Sequence, residues 1–217
     1  MIVRKLFATI AMAAALAAGA TSASAQSSAS TPAAASLFDK SGERWIEDGD
    51  AHACAKMPTL AWCKASPAAP SARSADEERA LIAWAEGVSR KSWRTPDPRN
   101  NPEHWESFAD EALQGKTWVG DCDNLTFTVM DLLARNGFPT DRMFRVIGPS
   151  SKAGVGHMVG VVKLADGELL IVGDSMKRAP YALPGRYKMT SVNQVSNGRI
   201  WYDVPGKRMV TASAGQD

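Results

Sequence analysis

Three residues of the chain have side chains that together could carry out nucleophilic chemistry. Cys122 stands in the stretch WVGDCDNL, His157 opens one apolar run, and Asp174 closes the next. In such a set a cysteine attacks a carbonyl, a histidine removes the thiol proton and later protonates the leaving group, and an aspartate orients the imidazole. The three types in this order predict a Cys-His-Asp triad.

The immediate neighbours of Cys122 raise a question about its reactivity. Asp121 and Asp123 flank it, and negative charge next to a thiol disfavours the reactive thiolate. A position in the first turn of a helix has the opposite effect, because unpaired N–H groups and the helix dipole favour an anion there. Either Cys122 is a buried structural thiol beside two helix-start residues, or something nearby compensates for the two carboxylates.

The elements that must position these residues are helices first and strands afterwards. Helical spacing of apolar residues predicts three helices, 74–91 after a Ser-x-x-Glu capping box, 101–115 after an Asn-Pro start, and 121–137. Trp105 and Phe108 would lie on the buried face of the second helix. Strands are predicted at 142–147, 157–164, 168–172 and 200–202. Helices followed by an antiparallel sheet indicate the α+β class.

The hairpin between the second and third strands tests whether His157 and Asp174 can meet. A four-residue loop at Leu164–Gly167 pairs them directly, and a two-residue Asp166-Gly167 turn makes them diagonal neighbours, so both loops keep them on one face. A regular three-residue loop would place them on opposite faces. The sequence alone leaves the loop length open.

The ends of the chain indicate export. Residues 1–25 have a basic start, an apolar stretch and an Ala-Ser-Ala cleavage site, as in a secretory signal peptide. We expect a Ser/Ala/Pro spacer at 26–40, one domain at 41–205, a tail at 206–217, and no membrane insertion after cleavage. The signal holds two of the 25 basic residues, which leaves 23 against 23 acidic ones, and no basic patch predicts a nucleic-acid partner.

Three cysteines are an odd number for an exported protein, which suggests one disulfide and one free thiol. Three pairings are possible. The pair Cys54–Cys63 closes the shortest loop and leaves Cys122 free, whereas the alternative is that both are buried thiols. The spacing fits no zinc pattern.

The motifs GDCDN at 120–124, HMV at 157–159 and GDS at 173–175 resemble those of bacterial transglutaminase-like cysteine peptidases, which include periplasmic proteases that release biofilm adhesins. The resemblance covers residues 77–177. It implies a papain-like fold with the nucleophile helix packed on an antiparallel sheet, and it assigns Cys122 as nucleophile, His157 as base and Asp174 as orienting acid. Glu-Asp is usual in the family after the cysteine, and Asn is usual after the acid, where this chain has Asp123-Asn124 and Ser175.

The same resemblance implies a cofactor and partners. In the adhesin proteases the acids around the cysteine bind calcium, and Asp121 and Asp123 match two of these positions. Ca²⁺ is a hard cation that suits carboxylate ligands and would offset their charge. The expected partners are a protein or peptide substrate in the cell envelope and a membrane-bound regulator, with a periplasmic or secreted location.

Other functions stay open at the level of sequence. A cell-wall peptidase of the NlpC/P60 type would use the same Asp-Cys start of a helix, but it expects a second histidine or similar group where Asp174 stands. A catalytically silent binding module with this fold is the alternative from a different class. Hydrolysis and transglutamination share an acyl-enzyme and differ in the acceptor.

Overall fold

The computed structural model describes residues 44–65, 72–96, 105–149, 156–184 and 187–204, all of which fall in the compact unit 35–217. The predicted signal peptide, spacer and tail lie outside these residues. So does the predicted start of the second helix at Asn101-Pro102. No helix in the described ranges is long and apolar enough to cross a membrane.

Four α-helices are present in the described part of the chain. They are α1 (Asp48–Lys56), α2 (Ala75–Ser92), α3 (Ala109–Leu113) and α4 (Cys122–Arg135). The capping box that predicts α2 is confirmed, because the Glu77 N–H donates to Ser74 Oγ at 3.3 Å and the Ser74 N–H donates to Glu77 Oε2 at 2.8 Å. The sequence did not predict α1.

The prediction for the second helix is wrong over Trp105–Phe108, which are not helical. Side chains of α4 hold this segment instead: the Phe108 N–H donates to Thr128 Oγ1 at 2.9 Å, and Ser107 Oγ donates to Asp131 Oδ2 at 2.7 Å. The first N–H groups of a helix have no partner within that helix. Here the Phe108 N–H has a partner in α4 instead, which favours the observed non-helical conformation. The short helix α3 then ends near Gly115, whose φ of 68° suits glycine.

Within the described ranges, nine strands form two sheets. They are β1 (Arg44–Ile46), β2 (Trp93–Arg94), β3 (Trp118–Val119), β4 (Met143–Pro149), β5 (Gly156–Lys163), β6 (Leu169–Val172), β7 (Tyr181–Ala182), β8 (Ser191–Gln194) and β9 (Ile200–Asp203). The main sheet has the order β1-β9-β8-β4-β5-β6-β7 with antiparallel pairs throughout, and β2 and β3 form a small parallel pair. The predicted strands correspond to β4, β5, β6 and β9. The α+β class is therefore correct.

Both faces of the main sheet are covered. One face meets the helices, and α4 is buried at every position from Asp123 to Leu133. The other face carries a second apolar cluster that includes Val161 and Ile171. Gly160 at the centre of β5 permits the close approach of α4, since a Cβ there would lie 3.0 Å from Met130 Sδ. The helix that begins at Cys122 thus packs directly on β5 and against the helices α2 and α3.

The hairpin register differs from both arrangements that would keep His157 and Asp174 on one face. Gly160 pairs with Val172 and Lys163 pairs with Leu169, and the Leu164 N–H donates to the Glu168 carbonyl at 2.8 Å. These pairs leave a three-residue loop, Ala165–Gly167, in which Gly167 has a φ of 92°. A regular continuation of β6 would therefore point Asp174 away from His157.

Candidate active site

Cys122 is the first residue of α4, and the turn that presents it is fixed from two sides. Trp93 Nε1 donates to the Gly120 carbonyl at 2.6 Å, and the Gly120 N–H donates to the Arg94 carbonyl at 3.1 Å. Asn124 Oδ1 accepts from the Asp121 N–H at 3.2 Å. A Cβ on Gly120 would lie 2.5 Å from Asn124 Cβ, so this turn needs glycine. The thiol is the one free cysteine of the chain and is half-buried.

The surroundings of Cys122 oppose ionisation. Burial raises the pKa of the thiol to about 12, and the charges of Asp123 and Asp121 act in the same direction. The backbone N–H groups of Met158 and Asp123 lower the pKa but do not outweigh those effects. The thiol therefore needs a base at the moment of reaction, because it is not ionised at neutral pH by its own environment.

His157 and Asp174 are in direct contact. His157 Nε2 lies 2.9 Å from Asp174 Oδ1, and both side chains are buried. Tyr181 Oη donates to the second oxygen, Oδ2, and the Met176 N–H donates to Oδ1 at 2.8 Å. Burial would raise the pKa of Asp174, but the hydrogen bonds from His157, Tyr181 and Met176 prevail and lower it to about 2. The carboxylate is thus ionised and held in one orientation.

A kink at Gly173 brings Asp174 to His157 in spite of the hairpin register. Strand β6 ends at Val172, and Gly173 has a φ of 66°, in the left-handed region that favours glycine. A Cβ at this position would lie 2.6 Å from Thr126 Cα. Thr126 Oγ1 also lies 3.2 Å from the Gly173 carbonyl oxygen, to which it can donate. The chain therefore leaves the strand at Gly173, and Asp174 is freed from the alternation of faces.

Two residues of α2 hold this kink in place. Glu86 accepts the Gly173 N–H with Oε1 and Arg90 Nε with Oε2, the latter at 2.8 Å, and Arg90 Nη2 donates to the Asp174 carbonyl at 2.6 Å. Burial raises the pKa of Glu86, while Gly173 and Arg90 oppose that shift. Glu86 and Arg90 could not be recognised as site residues from the sequence, because they lie four positions apart and resemble an ordinary surface ion pair on a helix.

The position of Cys122 relative to the pair follows from β5. The N–H of Met158, the residue after His157, is close enough to the Cys122 thiol to lower its pKa. A cavity of about 180 Å³ opens beside the thiol and is lined by Trp105, Asp121, Cys122, Asp123, Ile147, Gly156 and Met158. Among the described residues, Cys122 and His157 form no hydrogen bond, and Nδ1 is the ring nitrogen of His157 that Asp174 leaves available.

The carboxylates of Asp121 and Asp123 are the type of ligand that a hard cation prefers, but two carboxylates are too few to fill its coordination shell. Ca²⁺ takes about 6–8 oxygen ligands. Asp123 Oδ1 already accepts the Asn124 N–H at 2.7 Å. In the ranges that the structure describes, no three His, Cys, Asp or Glu side chains are grouped so that they could hold a metal. Asp121 and Asp123 alone supply fewer oxygens than Ca²⁺ takes, so backbone carbonyls and water would have to provide the remainder.

A disulfide joins Cys54 and Cys63, the pairing that closes the shortest loop. The S–S distance is 2.04 Å and the Cα–Cα distance is 5.4 Å, both within the usual range for a disulfide. It links α1 to the turn that contains Trp62, which is fully buried in the main core. The segment before α2 is therefore covalently closed, and Cys122 is left as a free thiol.

Comparison with solved structures finds that the chain is similar to structures of Legionella pneumophila LapG, among others. No protein-family model and no curated protein matches the chain. Legionella pneumophila LapG in its calcium-bound form shares 18% identity, with a TM-score of 0.45, over 65% of this chain and 80% of that one. The EGTA-treated form gives 20% identity, a TM-score of 0.42, and 57% and 65% coverage, and a further LapG structure gives 19%, 0.42, 55% and 68%.

The aligned region spans just under two thirds of the EGTA-treated LapG chain. Identities and TM-scores of this size carry no inference about activity. The function is therefore argued from the site itself.

Proposed function

We propose that the protein is a thiol hydrolase, a cysteine peptidase that cleaves a peptide or isopeptide bond through Cys122, His157 and Asp174. The observation that carries the proposal is the contact of 2.9 Å between His157 Nε2 and Asp174 Oδ1. The hairpin register works against this contact, and it exists because Gly173, Glu86 and Arg90 turn the chain toward His157. A purely structural histidine would not need such an arrangement.

Each group has a defined part in the reaction. The Cys122 sulfur attacks the carbonyl carbon of the scissile bond while its proton passes to Nδ1 of His157. The resulting imidazolium protonates the leaving amine as the C–N bond breaks, which leaves a thioester. A water molecule then gives its proton to His157 and attacks the thioester, which releases the acid and restores the thiol. Asp174 keeps the Nε2–H tautomer and stabilises the imidazolium.

The raised pKa of Cys122 makes the base essential. Burial and the charges of Asp121 and Asp123 keep the thiol protonated near neutral pH. A thiol of this kind reacts slowly alone, and the transfer of its proton to a neighbouring imidazole supplies the missing activation. We therefore expect the reactivity of Cys122 to depend on His157.

The substrate class and location follow from the resemblance and the N-terminal sequence. We propose that residues 1–25 are removed on export, that the domain at 41–205 acts in the periplasm or outside the cell, and that its substrate is an envelope or surface protein. A membrane-bound regulator belongs to the same proposal. The proteomes of envelope fractions from cells with wild-type and Cys122→Ala protein test it, because the substrate accumulates uncut in the variant.

We propose that the carboxylates of Asp121 and Asp123 bind calcium, with the remaining oxygen ligands from backbone carbonyls and water. Support comes from the hard carboxylate donors beside a thiol whose ionisation they oppose. When bound, the ion would neutralise the two charges. Isothermal titration calorimetry of metal-free protein with calcium measures the affinity for the ion, and an Asp123→Ala variant should lose the binding.

The decisive experiment measures the rate at which Cys122 reacts with iodoacetamide at neutral pH in purified mature protein. Fast labelling that is lost in His157→Ala supports the hydrolase. His52→Ala is the matched control, because His52 is a partly exposed histidine of α1 that lies near Glu106, with Nε2 3.6 Å from Glu106 Oε1. Equal slow labelling in all three proteins would instead identify a binding module that retains the fold.

A further inference from the structure

A cleft of about 660 Å³ opens on the far side of the turn that carries Asp174. Its walls are α2, from Ala83 to Lys91, and the segment Ser175–Pro180, and it is called the α2 cleft below. Ser175 directly follows Asp174 in the chain, so the cleft adjoins the candidate active site. Apart from Glu86 and Arg90, which hold the kink before Asp174, the side chains that line it have no part in the triad or in the cavity beside Cys122.

The rim of the α2 cleft carries unused positive charge. Lys91, Lys177 and Arg178 are exposed, and within the described ranges none of them forms an ion pair. The Lys177 ammonium lies 4.4 Å from the centroid of the Tyr181 ring, a contact that orients the group without neutralising it. The acid of the lining, Glu86, is already occupied by Arg90 and the Gly173 N–H. The cleft therefore presents three unpaired cations to a ligand.

The floor of the α2 cleft is open at a glycine. Gly87 lies within the long helix α2, where glycine is less stable than alanine, and a Cβ added there would meet no atom within 4 Å. Packing therefore does not require this glycine. A bare floor lets an extended backbone approach the helix closely. Met176, which is 55% exposed, adds an apolar contact at the opposite wall.

We propose that the α2 cleft binds an acidic segment of the polypeptide substrate and so selects which bond reaches Cys122. Concave shape favours a peptide over a membrane surface, because a bilayer cannot enter a cleft between a helix and a loop. Three cations attract carboxylates and steer a charged chain toward the site. The inference rests on the proposed function, since it assigns the substrate of the same active site.

The test measures binding without turnover. Cys122→Ala protein is titrated into a fluorescein-labelled nine-residue peptide of alternating glutamate and glycine, and fluorescence anisotropy gives the Kd. Because each exposed ion pair contributes a factor of about two to five, Lys177→Glu/Arg178→Glu should raise the Kd at least about tenfold. The matched control Lys64→Glu/Lys116→Glu changes two exposed lysines outside the cleft and should leave the Kd within about twofold.

A second pair of variants separates binding in the cleft from general charge attraction. Gly87→Leu fills the floor without a change of charge and should also weaken peptide binding about tenfold, because its long side chain occupies the space that the peptide needs. Gly87→Ala should retain binding, since a single methyl group at this open position leaves most of that space free. Leucine and alanine both favour helix over glycine, so α2 remains folded.

Several results would overturn the proposal. They are an unchanged Kd in Gly87→Leu, an equal loss in the lysine control, or binding to phosphatidylglycerol vesicles without binding to the peptide. Its failure is distinct from failure of the hydrolase proposal, because the iodoacetamide reaction of Cys122 does not involve the cleft.

Discussion

Removing one partner of the buried ion pair between α1 and the sheet should destabilise the protein strongly. Asp50 and Arg145 are both fully buried; Arg145 Nη2 donates to Asp50 Oδ2 at 3.1 Å, and Trp201 Nε1 donates to the same oxygen at 2.6 Å. Burial lowers the pKa of Arg145, and the charge of Asp50 opposes this. Asp50→Asn removes the partner of a charge that cannot reach water.

The expected magnitude follows from the cost of an uncompensated buried charge. Removing one partner of such a pair destabilises a protein by about 3–5 kcal/mol. Asn193 Oδ1 still accepts from Arg145 Nε at 3.0 Å, and aromatic rings surround the guanidinium, so the lower half of that range is expected. With a urea m-value of about 2 kcal/mol per molar, the unfolding midpoint should fall by about 1.5–2 M.

The assay is urea unfolding followed by tryptophan fluorescence, with the disulfide intact. Asp48→Asn is the control, since it removes an exposed carboxylate from the same helix and should move the midpoint only slightly. The double variant Asp50→Asn/Arg145→Met should recover stability relative to Asp50→Asn, because it also removes the unpaired charge. A loss below about 1 kcal/mol in Asp50→Asn would refute the reasoning.

Four further predictions concern the site. Gly173→Ala forces a Cβ against Thr126 at a φ of 66°, so it should cost about 1–3 kcal/mol in urea unfolding and remove His157-dependent labelling of Cys122; retained labelling would contradict the role of the kink. Asp174→Asn should slow peptide hydrolysis strongly while the circular dichroism spectrum stays unchanged. The corresponding change in a serine triad lowers kcat by about 10⁴-fold. The folded-state pKa of Asp174 lies near 2, below its unfolded value, so its stabilisation is complete above about pH 4 and disappears as the pH falls through 2; acid titration of Asp174→Asn should therefore show a smaller loss. A chelator should lower activity and Tm together and Asp123→Ala should reproduce both effects, whereas no change in either would leave Asp121 and Asp123 as helix-start residues.

Local signals in the sequence were sufficient for the elements that carry the reacting groups. The capping box of α2 and the apolar spacing of α4 predicted both helices, because capping and periodicity depend on residues close in sequence. Alternating and continuous apolar runs predicted β5 and β6 for the same reason. These elements fixed the approximate positions of Cys122 and His157 in the fold.

Features that depend on distant contacts were not predictable in this way. Strands β7 and β8 are too short to be predicted from their own sequence. They are strands because β7 pairs with β6 and β8 pairs with β4. The segment Trp105–Phe108 has helical spacing, but hydrogen bonds to α4 hold it in another conformation. The kink at Gly173 depends on Glu86 and Arg90, which lie more than eighty residues away in the chain. Long-range polar contacts of this kind produce no periodic pattern in the sequence.

The register of the β5–β6 hairpin and the left-handed Gly173 form one geometrical unit. In this register Asp174 stands opposite Met158, whose side chain points to the other face from that of His157. The left-handed residue breaks the alternation of faces just before the acid. A change of loop length alone would leave the pairs of β5 and β6 as they are, whereas a chain with one residue fewer between Leu169 and Asp174 would bring the acid to the face of His157 without a kink. Chains that share this site should therefore carry the glycine when this spacing is kept and should be free of it when the strand is one residue shorter.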